Sequence, residues 1–468
     1  MVARRLPRSD DAPTVTLRVD GEDVPAIAGE PVAMSLLAAG RVVLGRSVKY
    51  HRPRGAACFG GRCDGCLMRV DGRPSVRTCR TAAAEGMTIE TQNVVGSAEL
   101  DLLAAADWFF PGGMNHHEMF TWARPVNQVM QVVARHVAGI GTLPDAPAAT
   151  GTIEDVEVDV LVVGAGAAGL AAARACAERG LRVLAADEEA EAGGWLRFAP
   201  RGAPTDAEGR APSELASSLV DAARRSGAEL RAGHVAVGLF DETAEGGGER
   251  RIALLDGPRG LVRVRARAWV VAQGRTEGAE AFEGSDLPGV IGAEAAARVL
   301  ARGIVPGAEI VIAGDLATRE AELVALARAL EAAGASVIGP VGLAGLERAD
   351  GRNAVSSVTL REAGRSAKHR CDLLVVAPRT SATYELASQG GARVELRDGV
   401  FELASREPTG RGARVWVVGG AAGAVSLDEA LAQAERAADE IVDALTDDQL
   451  ADDERADDER AGARPETP

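Results

Sequence analysis

The chain has 468 residues, of which 46% are apolar and 26% charged, and its net charge is −16. That length calls for about three domains. The acidic balance does not argue for nucleic acid, where a basic surface would be expected, and the longest apolar run, residues 160–173, is too short and too glycine-rich to cross a membrane, so the protein is read as cytoplasmic with no membrane partner.

Residues 1–12 contain Arg4 and Arg5 but no apolar segment, and read as a disordered arm without a secretory signal. Thr14–Val19 and Val24–Ile27 flank Asp20-Gly21 as a hairpin. Pro31 opens a short helix, Val32–Ala39, that Gly40 ends. After the basic stretch Arg46–Arg54, residues 57–80 hold Cys58, Cys63, Cys66 and Cys79, with gaps of four, two and twelve residues. The C-x4-C-x2-C…C spacing is that of a [2Fe–2S] ferredoxin loop, and the interleaved glycines let backbone N–H groups aim at sulfur. Structural zinc favours two separated cysteine pairs, and disulfides belong to exported chains; neither suits this pattern. Leu67–Val70 and Arg73–Val76 flank a second Asp-Gly turn, and Met87–Thr91 is a last strand. Residues 13–98 thus read as an α+β, ferredoxin-like β-grasp domain.

Residues 99–155 read as a helical segment, Leu100–Gly141, and a linker, Thr142–Asp155. The adjacent His116 and His117 would point about 100° apart on a helix and are read as surface residues. Cys176 and Cys371, isolated in apolar surroundings, read as buried thiols. From Val156 the texture changes. Strand Val158–Val163 runs into Gly164-Ala-Gly166-Ala-Ala168-Gly169 and an alanine-rich helix, and a second strand ends in Asp187-Glu188. Strand, GxGxxG, helix and acid in that order form the dinucleotide fingerprint, with pyrophosphate at the helix N-terminus and an acid at the ribose. Trp269–Gly274 is a further strand of this α/β Rossmann-like domain, residues 156–275 plus 381–445. Residues 276–380 read as an inserted second dinucleotide-type domain: strand Ile310–Ala313, helix Arg319–Gly334, strand Ser336–Ile338. Its turn, Gly314-Asp-Leu-Ala-Thr-Arg319, lacks GxGxxG, so its nucleotide site is read as lost. Strand Val415–Val418 leads into Gly419-Gly420-Ala-Ala-Gly423 and helix Ser426–Leu445. An acidic tail, 446–468, with ADDER in tandem at residues 451–460, reads as disordered.

Taken in order, GRSVKYHRPRG (45–55), the cysteine loop, VLVVGAGAAGLAAA (160–173), EAGGW (191–195), DLPGV (286–290) and VVGGAAG (417–423) resemble the N-terminal half of the α subunit of heterotetrameric sarcosine oxidase. They also resemble the related subunits of hydrogen cyanide synthase, opine oxidase and amino-acid dehydrogenase complexes. The resemblance implies a two-dinucleotide-binding-domain flavoprotein fold after the ferredoxin domain, and a partner: an amine-oxidising flavoprotein β subunit of the glycine-oxidase type. It implies FAD, or alternatively NAD, at the first fingerprint. Gly164, Gly166, Ala168 and Gly169 would lie at the phosphates and Asp187 and Glu188 at the ribose. Gly194 and Trp195 would lie beside the cofactor, Ala236 near the adenine, and Gly420, Gly423 and Ser426 at the far end. Cys58, Cys63, Cys66 and Cys79 would hold the cluster.

Three departures from the family shape the reading. The residues stop before the folate-binding half, so folate-linked chemistry is not expected. All four cluster cysteines are present, which moves the expectation from an oxidase toward an electron-passing dehydrogenase component. Gly420 stands where many FAD proteins carry an acid. No substrate-oxidising residue is identified. The rival readings are a stand-alone NAD(P)H-dependent reductase and a non-catalytic assembly subunit.

Overall fold

The structure, a computed structural model, describes residues 3–7, 12–48, 50–94, 96–102, 123–137, 151–203, 210–243, 249–362, 364–404 and 414–462. The chain divides into two units. Residues 1–148 with 279–379 form one, and residues 149–278 with 380–468 form the other.

In the first unit the hairpin Thr14–Val19/Glu22–Ile27 closes on the left-handed Asp20 and Gly21. The strands join Thr88–Glu90, Leu67–Val70 and Arg73–Arg77 in one five-stranded sheet, with Arg73–Arg77 at its edge. Strict alternation in Thr14–Val19 puts Leu17 and Val19 inside, and the helix Val32–Ala38 covers them with Val32, Leu36 and Leu37. This is the ferredoxin-like arrangement expected from the sequence.

The same unit contains a four-stranded parallel sheet, ordered Val290–Gly292, Leu373–Ala377, Glu309–Gly314 and Ser336–Gly342. An antiparallel meander, 346–370, accompanies it. The helix after Glu309–Gly314 begins at Leu316 rather than Arg319, because the Asp315 side chain caps it there.

The first residues are not a disordered arm over 3–7. Arg4–Arg5 pairs antiparallel with Ile304–Val305. Arg5 donates two hydrogen bonds, at 2.9 and 2.8 Å, to the carboxylate of Glu30, whose side chain is 3% exposed. Ser35 donates a third at 2.6 Å. Two arginines gave no apolar signal in the sequence; what orders them is a buried charge that needs a partner.

In the second unit the sheet runs Glu229–Ala232, Val183–Asp187, Thr152–Val163, Gly260–Val271, Glu249–Gly257, Val235–Thr243, and Arg414–Val417 also pairs with Gly260–Val271. The first four strands are mutually parallel and the last two of the path antiparallel. The leading strand starts at Thr152, inside the expected linker, and pairs with Gly260–Val271 along its length. Its charged half is accommodated by arginines of other strands of the sheet: Arg231 on Glu154, and Arg263 and Arg265 on Asp155. Helix Ala167–Glu178 packs on the C-terminal helix through alanines: Ala172, Ala175, Ala434 and Ala438 are fully buried in one core. Small side chains let the helix axes approach closely.

The C-terminal helix runs Leu427–Gly462, past the expected end at Leu445 and through most of the tail expected to be disordered. No glycine or proline interrupts it before Gly462, and Asp452/Arg455 and Asp457/Arg460 recur at helical i,i+3 spacing. The expected features at Trp108, Phe109, Phe110, His116 and His117 lie outside the described residues; of that segment Arg124–Val137 is a helix. Cys176 and Cys371 are buried, and burial pushes their thiols up to about 12 and about 11. No helix among the described residues is long and apolar enough to cross a membrane.

Truncating Arg5 strands the Glu30 carboxylate in the interior, at a cost of about 3–5 kcal/mol. Urea unfolding of Arg5→Ala should show that loss, and adding Glu30→Gln should recover part of it. An Arg5→Ala variant as stable as the parent would contradict this role of the strand.

Candidate functional sites: a cysteine loop and a nucleotide cradle

The cysteine loop lies between the strand Pro53–Arg54 and the strand Leu67–Val70. Cys58 and Cys63 are part-exposed, while Cys66 and Cys79 are buried. The Cys58 sulfur accepts hydrogen bonds from the backbone N–H groups of Gly60, Arg62 and Cys63, at 3.4, 3.3 and 3.3 Å. Three donors converging on one sulfur fit a thiolate metal ligand. Close packing sets the loop path: a Cβ on Gly65 would overlap the carbonyl oxygen of Gly55. Thr78 ties the two buried cysteines together, its N–H and hydroxyl both donating to the Cys66 carbonyl, at 3.2 and 2.7 Å.

The thiols interact with one another. Hydrogen bonds from the Cys63 and Cys79 thiols hold Cys58 far below the ordinary range, and one from Cys79 lowers Cys66 to about 7. The donors, Cys63 and Cys79, are raised in return. Cys58 and Cys66 are thus the acidic members of the set, and Cys63 and Cys79 the thiols that donate to them.

The second site is built on the fingerprint. Strand Thr152–Val163 ends at Gly164, and Gly166 stands at the N-terminus of helix Ala167–Glu178. A Cβ on Gly169 would overlap the carbonyl oxygen of Gly164, so the helix can lie this close to the turn only with glycine there. Gly193 donates to the Ala165 carbonyl at 2.8 Å, which brings the turn Gly194–Arg197, with Trp195, against the fingerprint; a Cβ on Gly194 would lie 2.8 Å from the Cα of Gly166. A Cβ on Gly419 would lie 2.7 Å from that of Ala168, so the short 3-10 turn Gly419–Ala422, which includes Gly420, and the left-handed Gly423 after it reach the same place. Ala236, part-buried, follows Gly233 and His234, whose N–H groups donate to the Glu189 and Asp187 carbonyls at 2.7 and 2.8 Å. The structure thus gathers Gly164, Gly166, Ala168, Gly169, Gly194, Gly420 and Gly423, with Ala236 beside the end of Val183–Asp187.

Two of the expected residues also hold the local structure. Asp187 is buried and directs its carboxylate back at the fingerprint, accepting from Ala165 N–H at 2.6 Å and Glu189 N–H at 2.8 Å. Burial, chiefly, raises its pKa. It braces the turn, and Glu188 beside it is part-exposed. Ser426 caps the C-terminal helix, its hydroxyl accepting from Glu429 N–H at 3.2 Å.

Sequence reading missed three residues. Gln433, buried in the C-terminal helix, accepts from Gly419 N–H at 2.8 Å and holds that turn. Gln273 Oε1 and Thr383 Oγ1 are buried without a hydrogen-bond partner. Gln273 adjoins the fingerprint, since a Cβ on Gly164 would meet its nitrogen at 3.1 Å, and Thr383 N–H donates to Gly274 at 3.0 Å. Orphaned polar atoms beside a cradle of missing side chains fit a polar nucleotide, and they offer partners where the usual acid is replaced by Gly420.

The turn of the inserted sheet is built differently. Asp315 accepts from Ala317 N–H at 3.1 Å and from the Thr318 hydroxyl at 2.6 Å. Its carboxylate occupies the helix N-terminus that a pyrophosphate would need. Arg319 is buried against Glu322 and the Pro378 carbonyl.

Comparison with known proteins agrees with both sites. Residues 12–94 match a model of a 2Fe-2S iron-sulfur cluster binding domain, and residues 159–207 a model of an FAD binding domain. The chain is 30% identical over 484 residues to sarcosine oxidase subunit alpha of Rhizobium meliloti (strain 1021), covering 94% of this chain and 47% of that one. It is 39% identical over 79 residues to hydrogen cyanide synthase subunit HcnA of Pseudomonas aeruginosa, covering 17% of this chain and 75% of the relative. It therefore spans about half the length of the sarcosine oxidase subunit. L-proline dehydrogenase from P. horikoshii shares the fold, with a TM-score of 0.67 at 21% identity, over 89% of this chain and 70% of that one.

The two sites should be separable. Cys66→Ser should lose most of its iron while keeping flavin, and Gly169→Ala the reverse, as read by iron assay and by released flavin fluorescence. Loss of both cofactors from either variant would contradict independent sites.

Proposed function

We propose that this chain, which belongs to the family of the sarcosine oxidase α and hydrogen cyanide synthase subunits, is the electron-transfer subunit of an amine or amino-acid dehydrogenase complex. The observation that carries the reading is the pairing, in one chain, of a four-cysteine loop with N–H groups aimed at sulfur and a glycine-lined nucleotide turn, while Asp315 caps the helix at the turn of the inserted sheet. A bound flavin exchanges an electron pair and a two-iron cluster carries one electron at a time, so together they convert one to the other.

The chain's own residues bind and position. Cys58, Cys63, Cys66 and Cys79 hold the iron, and the loop N–H groups stabilise charge on sulfur. The N-terminus of Ala167–Glu178 takes the pyrophosphate of FAD at Gly164, Gly166, Ala168 and Gly169, and Glu188 takes the ribose. Trp195 and Gly194 cover the cofactor, Ala236 lies by the adenine, and Gln273, Thr383 and the Gly420–Gly423 turn serve its far end. Hydride removal from the carbon next to nitrogen falls to a partner flavoprotein subunit of the glycine-oxidase type, working in the cytoplasm.

The rival, a stand-alone NAD(P)H reductase, needs a second nucleotide turn, and Asp315 caps the helix where that cofactor's phosphates would bind. The test is the spectrum of the purified chain before and after anaerobic NADH. Flavin bands with iron–sulfur shoulders, unchanged by NADH and bleached by amine once the partner subunit is added, are expected. Bleaching by NADH alone would establish the rival; a colourless protein would leave only an assembly role.

A further inference from the structure

Building on the electron-transfer reading, we propose that the rim of the cysteine loop is a docking surface for an acidic one-electron carrier protein. In a chain of net charge −16, residues 41–80 carry ten Lys or Arg against only Asp64 and Asp71. Part of that charge is met within the unit: Arg46 by Asp101, Arg41 by Glu22, Arg69 by Glu90, and Arg52 and Arg54 by Asp286. The arginines at the loop itself are Arg62, Arg73, Arg77 and Arg80. Arg62 is exposed between Cys58 and Cys63, and Arg73 and Arg77 are outward positions of the sheet's edge strand, which leads directly to Cys79. Arg80 lies along the loop, its Cγ 3.1 Å from where a Cβ on Gly61 would be.

The exposed end of the cysteine set is the same end. Cys58 and Cys63 are its part-exposed members, and the side chains that lie against Gly60 and Gly61 between them are arginines, Arg298, which is paired with Glu294, and Arg80. A cationic rim of this kind steers an anionic carrier protein to the loop and fixes its orientation. A membrane surface would want apolar anchors beside the charges, and Phe59, the loop's one aromatic residue, is 4% exposed. In the encounter the carrier takes one electron from the loop's centre and no proton moves.

The test titrates the full, cofactor-loaded chain by calorimetry with two oxidised carriers, a blue-copper protein with an acidic face and a cytochrome c with a basic one. The acidic carrier should bind, with affinity falling at least about tenfold between about 50 and about 250 mM salt, and the basic one should not. Arg73→Glu with Arg77→Glu should lower binding about tenfold or more, with iron content and the electron paramagnetic resonance of the reduced cluster unchanged. Should that variant lose iron, Arg73→Gln with Arg77→Gln gives the same reading at lower amplitude. Salt-independent binding, equal binding of the two carriers, an unaffected variant, or binding to phosphatidylglycerol vesicles without carrier binding would each overturn the proposal. Heat reports docking whether or not electrons move, so absent iron would count against the electron-transfer reading and absent binding against the surface.

Discussion

Three backbone N–H groups pointing at one sulfur are the constraint from which the rest of this protein can be understood. They need a loop that turns sharply, and the loop needs Gly65 where the Gly55 carbonyl passes with no room for a Cβ. Cys66 and Cys79 are then fixed from the other side, through Thr78 and the ends of two sheet strands. The small domain carries this loop on a modest core, and it is steadied by an ion pair made with the first residues of the chain, Arg5 on Glu30. Removing one partner of such a buried pair costs more than the pair gains, so the strand over 4–5 behaves as part of the domain.

The two α/β sheets show how little separates a nucleotide site from a scaffold. Both place a strand, a tight turn and a helix in sequence. At Gly164–Gly169 missing side chains leave the helix N-terminus open, and Asp187 stays behind the turn, holding Ala165 and Glu189. At Gly314–Arg319 one carboxylate, Asp315, turns forward and satisfies the helix end itself. A helix terminus already capped by its own carboxylate has fewer free donors and a weaker positive field to offer a phosphate.

Much of this could be read from the sequence because the signals are local. Cysteine spacing, GxGxxG after an apolar run and Asp-Gly between alternating strands each act within a few residues. What escaped depends on distant partners. Residues 152–155 read as linker because they close a stretch rich in Pro, Ala and Thr; Arg231, Arg263 and Arg265, on other strands of the same sheet, pair with their acids and make them part of the sheet. The roles of Asp187, Gln433 and Gln273 depend on side-chain direction, which the motif does not encode. The high alanine content, uninformative as composition, acquires a reason once Ala172 and Ala175 meet Ala434 and Ala438. The long C-terminal helix shows acidic composition giving way to an unbroken run of helix formers.

Two redox centres of different electron capacity in one chain should be visible in an anaerobic titration with dithionite, followed in the flavin absorption and in the electron paramagnetic resonance of the iron. Uptake of about three electrons per chain is expected, two by flavin and one by the cluster. Uptake of two with no iron signal, or of one with no flavin bleaching, would contradict it.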